Sequence, residues 1–315
     1  MNLLSINDLT LKQITEILTL ARYGRLESLE GCVVANLFYE PSTRTRLSFE
    51  LAAIRQGAEV ITFDVDTSSE QKGESMKDTA LTLQALGADV LVVRSPARGF
   101  PAAMSEWVDC AVVNAGDGSG EHPTQALADL YTMKQHFGRI AGLRVGIVGD
   151  VHHSRVANSL YLALAKMGAE TVLIGPRLFV SSRPGPYVRY DLDAELSKLD
   201  VCYVLRAQTE RHNKLTSLTD LLKAYKLTTE RTRLLPKDAI VMHPGPMNRG
   251  VEIDSDVADS QPAIQQQVTN GVVVRSALLY WLLNERSEES EVPQSPRYRY
   301  DYRDSLYDIR TSVCD

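Results

Sequence analysis

Hydroxyl and guanidinium side chains crowd into Glu40-Pro41-Ser42-Thr43-Arg44-Thr45-Arg46, where an apolar run ends and an amphipathic one begins. The first turn of a helix offers free N–H groups and partial positive charge, enough to hold a phosphate. Here Ser42, Thr43 and Thr45 add hydroxyls, and Arg44 adds a fork suited to phosphate oxygens. A plain N-capped helix would not need two arginines among those hydroxyls. Arg94-Ser95-Pro96 follows the apolar run 90–93. Ligands of open parallel sheets bind beyond the carboxyl ends of strands, so Arg44 and Arg94 can share one anion. A third segment, Gly116-Asp117-Gly118-Ser119-Gly120-Glu121-His122-Pro123-Thr124-Gln125, follows a run ending near Asn114. Its glycines let backbone approach a ligand closely. His122 stands at the next helix start, where the dipole disfavours its cation. A neutral imidazole there can donate a hydrogen bond to a carbonyl oxygen that gains charge.

The second half of the chain repeats the theme with a different set. Arg155 opens a helix after 148–154, Arg206 and Gln208 lie just past the run 200–205, and His243-Pro244-Gly245-Pro246 follows 239–242. Two arginines and a glutamine match carboxylates. The polar loop Thr67 to Ser75, with Ser68 and Lys72, reads by itself as a solvated linker. No metal site is expected: His152 and His153 are the only close pair, and adjacent side chains seldom converge on one ion. The four cysteines, Cys32, Cys110, Cys202 and Cys314, form no CxxC pair and read as three buried strand thiols and one on a tail. Gly146-Ile147-Val148-Gly149-Asp150 is half of a dinucleotide fingerprint without its full spacing, a weak signal for an oxidoreductase.

The elements that must position these groups alternate. Short β-branched runs at 33–39, 60–63, 90–93 and 111–113 are separated by helical patterns at 41–57, 74–86 and 102–107, and a helix at 123–136 closes the series. In the first of these Leu47, Leu51 and Ile54 share one face. A second series runs through 143–148, a helix at 155–167, 171–174, 200–205 and 239–242. Such alternation predicts an α/β protein with two doubly wound parallel-sheet domains joined by interdomain helices. The Gly-rich stretch 138–142 divides a domain 1–137, completed by a closing helix 270–285, from a domain 138–269. Residues 286–315, with Tyr298, Tyr300, Tyr302 and Tyr307, show no period and read as a disordered tail; the alternative is an arm that docks on a neighbouring subunit. A net charge of −6 argues against broad binding to nucleic acid or anionic membrane. No apolar run is long enough to span a bilayer, and the N-terminus does not read as a signal peptide, so a cytoplasmic enzyme or binding protein is expected.

Together these segments resemble the carbamoyltransferase family over residues 4–285, on its aspartate branch. Ser42-Thr43-Arg44-Thr45-Arg46 and His122-Pro123-Thr124-Gln125 carry the family resemblance. Lys72-Gly73-Glu74-Ser75, Arg206-Ala207-Gln208 and His243-Pro244-Gly245-Pro246 look like the branch that uses aspartate rather than ornithine. The resemblance implies transfer of the carbamoyl group of carbamoyl phosphate to the α-amine of L-aspartate, in pyrimidine synthesis, with no cofactor and no metal. It implies that Ser42, Thr43, Arg44 and Thr45 bind phosphate, and that Arg94 bridges phosphate and carbonyl. His122 and Thr45 would bind the carbamoyl oxygen, and Gln125 with the Gly245 and Pro246 carbonyls would hold its amino group. Arg155, Arg206 and Gln208 would grip aspartate. Ser68 and Lys72 resemble residues that a neighbouring subunit supplies, which implies a homotrimer; the resemblance also admits a larger assembly with regulatory or dihydroorotase chains. The segment 175–191 is shorter than is usual in the family, and a helix there is expected to be missing or reduced.

Overall fold

The computed structural model describes residues 1–24, 26–63, 73–180, 185–207 and 221–289. One parallel sheet holds β1 (Val33–Phe38), β2 (Glu59–Phe63), β3 (Val90–Ser95) and β4 (Ala111–Asp117) in the order β2-β1-β3-β4. A second holds β5 (Arg144–Val148), β6 (Glu170–Ile174), β7 (Tyr187–Arg189), β8 (Val201–Val204) and β9 (Ile240–Met242) in the order β7-β6-β5-β8-β9, again all parallel. The central strands β1, β3, β5 and β8 are largely buried on both faces, as parallel strands covered by crossover helices must be.

The helices α1 (Leu11–Tyr23), α2 (Thr43–Arg55), α3 (Met76–Ala85), α4 (Phe100–Ser105), α5 (Pro123–Phe137) and α6 (Arg155–Lys166) are followed by the short α7 (Asp193–Leu196), α8 (Thr229–Thr232) and α9 (Ser255–Ser260). The last, α10, runs from Pro262 to Glu289. It begins well before residue 270 and continues past 285, so the first residues assigned to a tail are helical; 290–315, with the tyrosines, lie outside the described residues. α5 shows why its ends fall where they do. Pro123 needs no N–H partner at a first turn, and Gly138 takes the left-handed conformation that closes the helix (φ 72°).

α10 joins the two halves. It packs on α1, α2 and α5, which belong with the first sheet, and on β9 of the second. Val274, Ala277, Leu278, Leu279 and Leu282 are all buried in that contact. The covered side of α2 is Ser48, Phe49, Ala52 and Ala53, while Leu47, Leu51 and Ile54 are 38–60% exposed. The apolar face that these three share is therefore turned outward. Small residues on the opposite face let α10 approach closely, and Gln56 Nε2 donates to Ser276 O at 2.9 Å across that contact.

In the segment 175–191, Pro176 and Val180 close a turn through a backbone hydrogen bond of 3.1 Å. The edge strand β7 lies near the end of this segment. Cys202 lies in β8, whereas Cys32 and Cys110 sit one residue ahead of their strands; all three are buried and none is in a disulfide. Burial pushes the Cys202 thiol up to about 12, which makes it inert. Because α10 is shared, Leu278→Ala is expected to cost about 2–5 kcal/mol and to lower the unfolding midpoint of both sheets together in a chemical denaturation curve. Loss of one sheet's signal ahead of the other would show that α10 does not couple them.

Candidate active site

Three helix N-termini face one cavity of about 470 Å3 at the seam between the sheets, lined by residues 40–45, Arg94, His122, Gln125, Arg155, Arg206 and 244–246. α2 starts directly after β1, which brings Ser42 to its N-cap. Ser42 makes no capping hydrogen bond, so its hydroxyl is available to the cavity with the helix N–H groups. Thr45 is buried. Arg94 sits within β3 rather than beyond it, opposite Phe38 of β1. Its Nη1 donates to Thr45 Oγ1 (3.5 Å) and Ala115 O (3.4 Å). Burial and the nearby Arg155 push the Arg94 guanidinium down to about 10, against the pull of Glu40; it stays charged near neutral pH.

One carboxylate crosses the seam. Glu40 Oε1 accepts from Arg94 Nε at 2.7 Å and also from Arg155 Nη2. All three side chains are mostly buried. Gly116 makes room for this arrangement: with φ 119°, it places the site of a Cβ only 3.1 Å from the Arg155 guanidinium. Gly245 does the same beside Arg44, with φ 65° and 2.8 Å to Cζ. The Gly245–Pro246 peptide is cis.

His122 is the N-cap residue of α5 and is buried. Its backbone N–H donates to Ser159 Oγ on α6 at 2.8 Å, and Ser159 donates to Glu121 at 2.9 Å. Its Nε2 lies 3.4 Å from Thr45 Oγ1. Burial first, then Arg94, Arg155 and Arg275, hold the imidazole well below its usual value. The neutral form expected from the helix dipole alone thus rests mainly on desolvation and three guanidiniums. Gln125, half-buried, follows one turn into α5 and lines both this cavity and an adjoining one of about 180 Å3.

The second-sheet wall is fastened by Glu252. It accepts from the backbone N–H of Ala207 (3.3 Å) and Asn248 (2.5 Å), and Asn248 Nδ2 donates to Ala207 O at 2.8 Å. His243 Nδ1 accepts from Gly245 N at 2.9 Å, while Nε2 lies 3.3 Å from Glu252. The loop carrying Arg206 and the loop carrying Gly245 are therefore held to one another.

Of the residues singled out in the sequence, Ser42, Thr43, Arg44, Thr45, Arg94, His122, Gln125, Arg155, Arg206, Gly245 and Pro246 meet at this cavity. Ser68, Lys72 and Gln208 lie outside the described residues. Sequence reasoning assigned no role to Glu40, although it heads the first motif, nor to Glu252, Asp129 and the buried Arg275. Asp129 stands four residues after Gln125, one helical turn, a spacing that signals a side-chain pair. Glu252 and Arg275 carry no comparable signal. Gly146 has a packing explanation, since a Cβ there would meet Leu199 at 2.5 Å. Among the described residues no group of histidine, cysteine and acidic side chains could hold a metal, and no helix is long and apolar enough to cross a membrane.

Residues 1–135 match the model of the aspartate/ornithine carbamoyltransferase carbamoyl-P binding domain, and 141–282 match that of the Asp/Orn binding domain. The aspartate carbamoyltransferase catalytic subunit of Salinispora tropica is 56% identical over 268 residues, covering 82% of this chain and 87% of that one. That of Thermobifida fusca is 51% identical over 297 residues, covering 90% and 95%. Among solved structures, aspartate transcarbamoylase from Trypanosoma cruzi in complex with N-(phosphonacetyl)-L-aspartic acid superposes with a TM-score of 0.82 at 30% identity, covering 89% of this chain and 94% of that one. The catalytic subunit of M. jannaschii aspartate transcarbamoylase gives 0.81 at 37%, covering 91% and 99%. Both halves of the sequence, both sheets and the cavity between them thus lead to one assignment: the chain belongs to the aspartate/ornithine carbamoyltransferase family.

Proposed function

We propose that the cavity at the seam is where the protein transfers the carbamoyl group of carbamoyl phosphate to the α-amine of L-aspartate, giving N-carbamoyl-L-aspartate and phosphate. The observation that carries this reading is the meeting of Arg44, Arg94, Arg155 and Arg206 with a neutral His122 in one cavity. Both substrates are anions, and no nucleophile paired with a base is required. Ser42, Thr43, Arg44, Thr45 and the first turn of α2 take the phosphate. Arg94 spans phosphate and carbonyl oxygen. His122 Nε2 and Thr45 Oγ1, 3.4 Å apart, donate to that oxygen as it gains charge. Gln125 and the carbonyls of Gly245 and Pro246 accept from the carbamoyl amine. Arg155 and Arg206, with Gln208, take the two carboxylates of aspartate from the second-sheet side.

The amine lone pair attacks the carbamoyl carbon, the tetrahedral oxyanion is held by Arg94, Thr45 and His122, and the C–O bond to phosphate breaks as the proton of the amine passes to the departing phosphate oxygen. Rate comes from positioning two anions and from donors already aimed at the oxyanion. A neutral imidazole suits that task. It donates without adding a mobile cation beside three guanidiniums.

Ser68 and Lys72 enter this site from a neighbouring copy, in a homotrimer. The outward face of Leu47, Leu51 and Ile54, on the helix whose first turn forms the phosphate site, supports that assembly, because a cluster of exposed aliphatic side chains favours a covering partner. We place the enzyme in the cytoplasm and its product in pyrimidine synthesis; the family assignment supports the second, and buried thiols without disulfides fit the first.

Purified protein is expected to form carbamoyl aspartate and not to carbamoylate ornithine. Arg44→Ala should weaken carbamoyl phosphate by about 1.5–3 kcal/mol and remove most turnover. Arg206→Ala should instead raise KM for aspartate far more than KM for carbamoyl phosphate. Equal damage to both constants in each variant would contradict the division of the cavity into two anion sites. A mixing experiment tests the shared site: Arg44→Ala and Lys72→Ala proteins, each nearly inactive, should regain activity after subunit exchange. A self-contained site cannot recover, so no activity after confirmed exchange would reject the contribution of Lys72 in trans.

A further inference from the structure

Gln125 Nε2 donates to Asp129 Oδ1 at 2.9 Å, one turn along α5. The same oxygen accepts from Gln267 Nε2 on α10 at 2.8 Å, and Oδ2 accepts from the Tyr203 hydroxyl on β8 at 2.7 Å. Asp129 is wholly buried. An ionised carboxylate only accepts hydrogen bonds, so a carboxamide beside it must turn its NH2 group inward. The reverse orientation would set two oxygens against each other and leave a buried acceptor unpaired. Oε1 is therefore the end of the Gln125 amide offered to the two cavities this residue lines. An amide oxygen accepts only, so the ligand group it meets must be a donor.

We propose that Asp129 is a positioning residue that fixes which end of the Gln125 amide faces the substrate, and that through it the site prefers a carbamoyl amine to an acyl methyl. The inference rests on the assignment of Gln125 to the carbamoyl amine given above. Carbamoyl and acetyl phosphate differ by NH2 against CH3 at almost equal size. Shape cannot separate them strongly. An oriented acceptor can, because the methyl leaves it unpaired.

Arg275 on α10 is the charged group facing Asp129, and Tyr203 is the titratable one. Burial and the adjacent carboxylate push the Tyr203 phenol well up, so it remains a donor. Burial raises the Asp129 carboxyl to about 6, against the hydrogen bonds from Tyr203, Gln267 and Gln125. As pH falls through that value the carboxyl gains a proton and becomes a donor, and the Gln125 oxygen can turn inward. KM for carbamoyl phosphate then rises on the acid side. His122 does not supply this limb, since it is neutral to well below its ordinary value.

The test measures KM for carbamoyl phosphate and the competitive Ki of acetyl phosphate in wild type, Asp129→Asn and Gln125→Ala. In both variants KM is expected to rise about tenfold while Ki stays near wild type, so the preference for the amine collapses. Equal weakening of both phosphates in Asp129→Asn, with preference lost in Gln125→Ala, overturns the role of Asp129 alone. Preference kept in Gln125→Ala overturns the assignment of Gln125, and the inference with it. Should Asp129→Asn fail to fold, Tyr203→Phe decides. It keeps the carboxylate but removes a hydrogen bond that holds its pKa down, so the acid rise in KM is expected at higher pH. An unmoved profile overturns the proposal.

Discussion

The shared acceptor at Glu40 is the interaction on which the site depends. Its carboxylate lies beyond the end of β1 and holds Arg94 of the first sheet and Arg155, at the start of α6 beside the second, at once. Two guanidiniums confined to a mostly buried pocket repel each other, more strongly than they would in water. One carboxylate offsets only part of it. Arg94 is accordingly shifted down by burial and by Arg155. Among the described residues that line the cavity, Glu40 is the one carboxylate beside Arg44, Arg94, Arg155 and Arg206, which favours an anionic ligand there. Substrate binding is thus the completion of an unfinished ion network rather than the filling of a neutral pocket.

The same physics orders the neutral groups. His122 stays uncharged because it is buried among arginines, so it can donate a hydrogen bond without adding a competing cation. Asp129 lies deeper, where three donors and Arg275 surround it, and it sets the orientation of an amide rather than meeting a substrate. Inward of the four cavity arginines, the opposite charges of Asp129 and Arg275 face each other among oriented hydrogen-bond donors. That arrangement needs rigid support, which α10 gives by packing on helices of the first sheet and on β9 of the second.

Much of this was legible in the sequence, for stated reasons. Parallel strands buried on both faces are continuous β-branched runs, so β1, β3, β5 and β8 stood out. The helix starts at Thr43, Pro123 and Arg155 were marked by hydroxyl, histidine or serine caps and a change of period. What was hidden depended on contacts distant in sequence. The amphipathic stripe of α2 was visible, but not that α10 would cover the small-residue side and leave Leu47, Leu51 and Ile54 outside. Nor does any spacing link Glu40 to Arg155, 115 residues away, or Tyr203 to Asp129, 74 residues away. β7 was missed because three residues on an edge carry too little pattern.

The claim that Glu40 orients guanidiniums across the seam, rather than holding the fold or a substrate, is most directly tested in Glu40→Gln by measuring kcat/KM for aspartate alongside equilibrium binding of inorganic phosphate. With the carboxylate gone, Arg155 loses its anchor, so kcat/KM for aspartate is expected to fall by more than about tenfold, the scale of a lost charge-assisted hydrogen bond. Phosphate, meeting a more positive cavity, should bind as tightly as in wild type or more tightly. Parallel loss of phosphate binding and aspartate turnover would contradict the account, as would unchanged kcat/KM.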